Sequence, residues 1–393
     1  MIISYGMSIV GTSHVCKNTP CQDSHRYETL DNGWLVAAVA DGVGSAKHSE
    51  VASKMACDVF VETCKSLITK DTAITDTKLI LAEAYRTADA KIKDYVYGIE
   101  DLITDYDTTL STVIYDGKHL VYGHSGDGGI VALTYEGDYI KVTEPQKADD
   151  GICVIPLRAG ETHWEFGECD ADIASVLLAT DGVYDNFMPY LLRGQPVEFY
   201  IPLIRWFMDN SGIGITSENR EHVEESRKRF LCGDSCRAIT DDKTILVAFN
   251  ADVVPALKDD SYYAEPDWAK LQEEWNRKAY PHLYKNEPQN SDSSETTVCS
   301  TDSTEAPDIP EQVEESVQDT CTEQVDTPTS ETIETSEQDS CLSETDSEAA
   351  MADTNEIVNG TDETDSAIVV SEQTEKNITK KRGLFDFLKK KKN

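Results

Sequence analysis

Three apolar segments each end or begin beside an Asp that could do chemistry. Trp34–Ala40 runs into Asp41-Gly42, Ala174–Ala179 runs through Thr180 into Asp181-Gly182, and Asp241-Asp242 stands just ahead of Thr244–Phe249. Buried strands place such residues at one rim of a sheet, where carboxylates repel one another unless cations neutralise them. A rim of oxygen donors with no His or Cys cluster favours Mg²⁺ or Mn²⁺ over zinc. Cys232 and Cys236 lie close together but lack a second ligand pair, so zinc is not expected there. A single Asp-Gly pair reads first as a hairpin turn; three such Asp beside strand ends read as a site.

Positioning these residues requires a sizeable core, and residues 1–250 have the apolar periodicity for one. Trp34–Ala40 is a continuous apolar run and predicts a buried strand. Val51, Ala52, Met55, Ala56, Val59 and Phe60 recur at helical spacing, as do Leu81, Ala84, Tyr85, Ala88, Ile92 and Tyr95, which predicts two consecutive amphipathic helices. Strand-like segments follow at Thr109–Tyr115, His119–His124, Ile130–Thr134 and Tyr139–Val142. They are separated by Asp116-Gly117, Gly126–Gly129 and Glu136-Gly137, all read as hairpin signals. Ala174–Ala179 is a second buried strand, helical patterns fill about 186–230, and Thr244–Phe249 is a last strand. Strands in runs with helices segregated between them predict an α+β fold built on antiparallel sheets.

Six elements in order, Gln22-Asp23, Asp41-Gly42-Val43-Gly44-Ser45, Thr108-Thr109-Leu110, Gly126-Asp127-Gly128, Ala179-Thr180-Asp181-Gly182-Val183-Tyr184-Asp185 and Asp241-Asp242-Lys243-Thr244, resemble the motifs of the metal-dependent Ser/Thr protein phosphatase 2C family. The resemblance covers about residues 5–249 and looks like the compact bacterial branch. It implies an antiparallel β-sandwich flanked by helix pairs, with two ions of Mn²⁺ or Mg²⁺ at one end. It further implies that Asp41 bridges both ions, that Asp181 and Asp241 complete the first site, and that the Gly42 carbonyl ligates the second. Asp23 would orient a metal-bound water, and Asp127 and Asp185 would border a third, weaker metal position. The implied reaction is hydrolysis of phosphoserine and phosphothreonine by direct in-line attack of the water bridging the two ions. Phosphorylated proteins and a cognate Ser/Thr kinase are then the implied partners.

Departures from the family pattern sharpen these expectations. Many members carry Glu where Gln22 stands, and a neutral amide oxygen is a weaker second-site ligand. Many place an Arg before this pair to hold the substrate phosphate; here Lys17 is the nearest cation and takes that candidate role, against the alternative of a solvated surface lysine. The Asp-Gly-Val-Gly form lacks the His of the eukaryotic Asp-Gly-His-Gly, which removes a candidate general acid. His14, His25 and His124 are expected to serve packing or surface roles. The competing readings are a pseudophosphatase acting as a binding module and a signalling phosphatase of the same fold with a specialised regulator as substrate.

Charge divides the 393 residues further. The chain carries 73 acidic and 35 basic side chains, a formal charge of −38. Such a field repels phosphate backbones and disfavours nucleic-acid binding. No apolar run approaches the ~18 residues of a membrane span, the start lacks the basic region of a signal peptide, and the 11 irregular Cys suit reduced thiols in a cytoplasm. Residues 251–287 form an aromatic annex in which Trp268, Leu271 and Trp275 share one face of a helix opened by Pro266 and Asp267, expected to dock on the catalytic body. Residues 288–379 hold 25 acidic side chains, one basic one and no Phe, Trp or Tyr, and are expected to be disordered. Residues 380–393 carry seven Lys/Arg around Leu384, Phe385, Phe387 and Leu388, which suits an anionic membrane surface or an acidic groove on a partner.

Overall fold

Apolar runs long enough to bury both faces of a strand build two sheets. In the computed structural model, which describes residues 1–284 apart from 150, 152 and 209–214, β1 (Ile2–Ile9), β10 (Lys243–Asn250), β9 (Ile173–Ala179), β6 (Gly129–Thr134) and β7 (Tyr139–Lys141) form one sheet in that order. The second runs β2 (Ser24–Thr29), β3 (Leu35–Ala40), β4 (Leu110–Tyr115), β5 (Leu120–Ser125) and β8 (Glu165–Glu168). Every neighbouring pair is antiparallel. Alternate residues of each strand serve different layers. Leu35, Ala37 and Val39 of β3 meet Ile130, Ala132, Val176, Leu178, Leu246 and Ala248 of the facing sheet in a fully apolar interior. This sheet-on-sheet contact is the sandwich.

The outward faces explain why β3 and the central residues of β9 and β10 are apolar on both faces instead of alternating. Val36, Ala38 and Ala40 turn away from the interior onto α2 (Ser49–Leu67) and α3 (Thr77–Gly98). Those two helices present Ala52, Ala56, Phe60 and Cys64, and Leu81, Ala84, Tyr85, Ala88 and Ile92, at the spacing read from the sequence. Leu177, Ala179, Ile245, Val247 and Phe249 turn the other way, onto α4 (Asp181–Phe187), α5 (Ile201–Met208) and α6 (Arg220–Cys232). Each large side chain so buried contributes roughly 1.5–3 kcal/mol.

Gly126–Gly129 differs from its reading as a hairpin. It carries the chain from β5 in one sheet to β6 in the other, so the two strands do not pair. Gly126 has φ +124°, and a Cβ there would fall 2.4 Å from that of Thr109; glycine is required by both conformation and space. The helical stretch expected over 186–230 is also divided, with a 3₁₀ turn at Tyr190–Leu192 between α4 and α5. Three strands and one helix lack a strong pattern in the sequence: β1, β2, β8 and the short α1 (Thr12–Lys17).

The aromatic annex lies against the strands and helices. In α7 (Trp268–Ala279), Trp268 stacks edge-on to Tyr200 at 5.3 Å and Trp275 to Tyr190 at 5.6 Å. Asp267 caps α7 by accepting the Lys270 N–H at 3.1 Å. The acidic linker and the basic segment beyond residue 287 lie outside the described residues.

Candidate active site

Strand register brings the acidic residues to one rim. Ser24 pairs with Ala40 and Val39 with Ser111, so Asp23, Asp41 and Thr109 follow side by side at the end of the β2–β3–β4 sheet. The Asp41 backbone is clamped there. Its N–H donates to Thr109 Oγ1 at 2.8 Å, and its carbonyl accepts from Thr109 N at 2.8 Å and Thr108 Oγ1 at 2.9 Å. Gly42 bridges to Thr108 and donates its N–H to the Gln22 carbonyl at 3.1 Å. A Cβ on Gly42 would sit 2.6 Å from that carbonyl, so the backbone here leaves no room for a side chain.

The facing sheet supplies the rest. Ile245 and Gly129 both pair with Ala179, which puts Gly128, Thr180 and Thr244 at the corresponding rim. Asp181 then opens α4, where an anionic side chain in the first turn is favoured by the helix dipole. Thr180 stands at the N-cap, yet its hydroxyl goes to Asp23 Oδ2 at 2.8 Å instead of capping the helix. A relay continues across the rim: Thr244 N–H donates to Thr180 Oγ1 at 3.1 Å, Thr244 Oγ1 donates to Ser8 Oγ at 2.8 Å, and Ser8 Oγ lies 2.8 Å from His25 Nδ1.

Oxygens of Asp41, Asp127 and Asp181 converge within 4.8 Å of one another. Their electrostatics are those of crowded anions. Burial, then Asp23 and Asp181, hold the Asp41 carboxyl well above its ordinary range. Burial raises Asp181 in the same direction, with Asp241 and Asp185 adding to it. Asp127 is pushed up to about 6 by burial and by Asp181, against the opposing charge of Lys147. Asp23 is pushed up to about 8, chiefly by burial. Asp181 Oδ1 is moreover buried without a hydrogen-bond donor. Hard oxygen donors, mutual repulsion and an unanswered buried oxygen together fit a divalent cation of the Mg²⁺ or Mn²⁺ type.

The other expected residues are placed less centrally. Asp241 is exposed and lies outside the three-carboxylate group, although its charge reaches Asp41 and Asp181. Asp185 is exposed one turn after Asp181 on α4. Gln22 is buried, with its backbone N–H on Asp242 and its carbonyl accepting from Gly42 and from Ser53 Oγ at 2.6 Å. Lys17 is exposed in the last turn of α1, and among the described residues no ion pair joins it to the carboxylates. His124 is buried against Ser111, as expected of a packing residue.

Two residues went unassigned in the sequence. Asp242 is buried and accepts the backbone N–H groups of Gly11 and Gln22 at 2.6 Å each, with His14 Nδ1 at 2.9 Å. Alternation at the entry to a strand could have found it, since of two successive acids only one can face solvent. Lys147 holds its ammonium 3.6 Å from Asp127 Oδ2; no local motif marks it.

Comparison with known proteins places the chain among phosphatases by sequence. Serine/threonine-protein phosphatase 3 of Escherichia coli (strain K12) is 26% identical over 261 residues, which is 62% of this chain and 97% of that protein. Among solved structures, the serine/threonine phosphatase Stp1 from Staphylococcus aureus has a TM-score of 0.45 at 12% identity, over 63% of this chain and 95% of its own. The catalytic domain of the serine threonine protein phosphatase PstP, in complex with 2 manganese ions, has a TM-score of 0.43 at 18% identity, over 63% and 97%. A family model described as Protein phosphatase 2C matches residues 10–212, a span that includes Asp23, Asp41, Asp127 and Asp181. With just over half of its length in that match, the chain belongs to the protein phosphatase 2C family.

Proposed function

We propose that this protein is a metal-dependent phosphatase of phosphoserine and phosphothreonine in proteins. The observation that carries the reading is the convergence of Asp41, Asp127 and Asp181 around a buried, unanswered oxygen. When bound, divalent cations would supply charge neutralisation for the phosphate and acidity for a water. Asp41 is proposed to hold two ions, Asp181 and Asp241 the first, and Gln22 and the Gly42 carbonyl the second, with Asp127 and Asp185 bordering the place where the family pattern puts a third, weaker one. Asp23 keeps Oδ2 on Thr180, which leaves Oδ1 to orient the water that attacks phosphorus in line. No protein nucleophile is needed for such a displacement. Lys17 is proposed to meet the substrate phosphate from the last turn of α1.

The proposed domain boundaries remain 1–250 for catalysis, 251–287 for the annex, 288–379 for an acidic linker and 380–393 for a basic anchor. A cognate kinase, signalling work in a reducing cytoplasm and an anionic surface or groove for residues 380–393 complete the reading. Cys16, Cys21, Cys57, Cys64, Cys169, Cys232 and Cys236 are free thiols, in keeping with that compartment. No helix among the described residues is long and apolar enough to cross a membrane.

The test is turnover of para-nitrophenyl phosphate and of phosphothreonine and phosphotyrosine peptides with Mn²⁺ or Mg²⁺. Release from the small ester and the phosphothreonine peptide, abolished by EDTA, is expected. No turnover with either ion would leave a binding module in its place.

A further inference from the structure

We infer that Lys147 is a tethered cation that takes the charge-neutralising place of a third divalent ion, leaving this chain a two-ion rim. The inference rests on the carboxylate rim being a metal site. Lys147 Nζ lies 3.6 Å from Asp127 Oδ2, and its positive charge acts on Asp185 as well, the group that Asp127 in turn repels. These two carboxylates are the pair proposed to border the third position, so the ammonium already stands where a further cation would be needed.

The position of Lys147 is fixed by its neighbours. Gln146 clasps Gly126, the residue before Asp127, in both directions: its N–H donates to the Gly126 carbonyl at 2.7 Å, and its side-chain Oε1 accepts the Gly126 N–H at 3.3 Å. On the other side Lys147 bridges to Val154, and Ala148 N–H donates to the Cys153 carbonyl at 2.8 Å. The loop therefore returns on itself and delivers the lysine to Asp127, one residue from a two-point anchor. A lysine ammonium is a compact point charge on a flexible stem, able to neutralise two carboxylates without fixed coordination geometry. A divalent ion arriving between Asp127 and Asp185 would have to expel it or tolerate a like charge at close range. Asp41 and Asp181, which are crowded by each other's charge and by Asp241, keep their need for cations.

Mn²⁺ binding by equilibrium dialysis with metal analysis reads the count directly, without reference to turnover. Wild-type chain should bind two ions per molecule across the low-millimolar range, Lys147→Arg two, and Lys147→Gln three. In the double variant Lys147→Gln/Asp127→Asn the count should return to two, which ties the gained ion to Asp127. Equal counts in wild type and Lys147→Gln, whether two or three, overturn the inference and leave the metal site standing. A wild-type chain that takes up no Mn²⁺ overturns the metal site and this inference with it.

Discussion

Asp242 receives the backbone N–H of Gln22 at 2.6 Å, across 220 positions of sequence. With Gly11 held at the same distance, this one buried carboxylate ties the entry of β10 to the start of α1 and to the residue before Asp23. Asp242→Ala strands two buried N–H donors, and about 2–4 kcal/mol of stability should be lost. Asp242→Asn, which keeps one acceptor oxygen, should lose less. Urea denaturation of both variants measures the difference; an Ala variant as stable as wild type would show that water replaces the carboxylate.

Removing a rim carboxylate should separate activity from stability. Asp41→Ala and Asp181→Ala are each expected to cut turnover by at least about 100-fold, the scale on which lost metal-site interactions act. Thermal unfolding in EDTA should show both variants as stable as wild type or more so, because each relieves repulsion among the remaining acids. Near-normal turnover in Asp41→Ala would remove it from the site.

Gln22 offers a gain-of-charge experiment. Gln22→Glu adds an anion beside Asp23 and Asp242, so the Mn²⁺ concentration giving half-maximal rate should fall. The same variant should be less stable than wild type in EDTA. A half-maximal concentration that holds or rises would put the Gln22 side chain outside the metal shell.

Acid sensitivity should follow His124. Burial pushes its imidazole down to about 4, below the ordinary value of roughly 6.5. Between those values the unfolded chain binds the proton and the folded chain does not, so stability is full above about pH 6.5 and falls as pH drops toward 4. From about pH 7.5 to 5 this one group should withdraw about 2 kcal/mol. His124→Gln should show a correspondingly shallower loss over that interval; parallel curves would mean that the ring is protonated in the fold.

The C-terminal segment is tested by deletion. Removing 380–393 should leave hydrolysis of a small phosphate ester unchanged but reduce co-sedimentation with anionic vesicles at low salt. Seven basic residues at about 1 kcal/mol each make that loss measurable. Equal sedimentation of the full and shortened chains would make the segment a solubilising end only.

The sandwich itself was implied by the family resemblance. The antiparallel sheets and their helices were legible because β3 and the middles of β9 and β10 bury both faces, which writes them as apolar runs, and because α2 and α3 each show one apolar stripe. β2 and β8 were not, since Ser24–Thr29 and Glu165–Glu168 are half-covered edge strands whose polar residues read as loop. That Asp41 and Asp181 lie together could be read from the apolar runs that end at them, whereas Asp127 entered only through the family resemblance. Asp242 and Lys147 were missed for different reasons. Asp242 acts through backbone groups distant in sequence, while Lys147 depends on a loop whose path nothing local dictates.

The relay from Asp23 through Thr180 and Thr244 to Ser8 and His25 passes back and forth between the sheets, and the rim carboxylates are divided in the same way. A chain with one sheet formed owns half a site, so partly assembled molecules should be chemically silent toward phosphoproteins during synthesis. Closing the seam also forces acids from opposite sheets together, a step that cations would reward. Mn²⁺ should then act as a rivet as well as a reagent: it should slow unfolding and raise the melting temperature in a concentration-dependent way, as a ligand of the closed seam alone would.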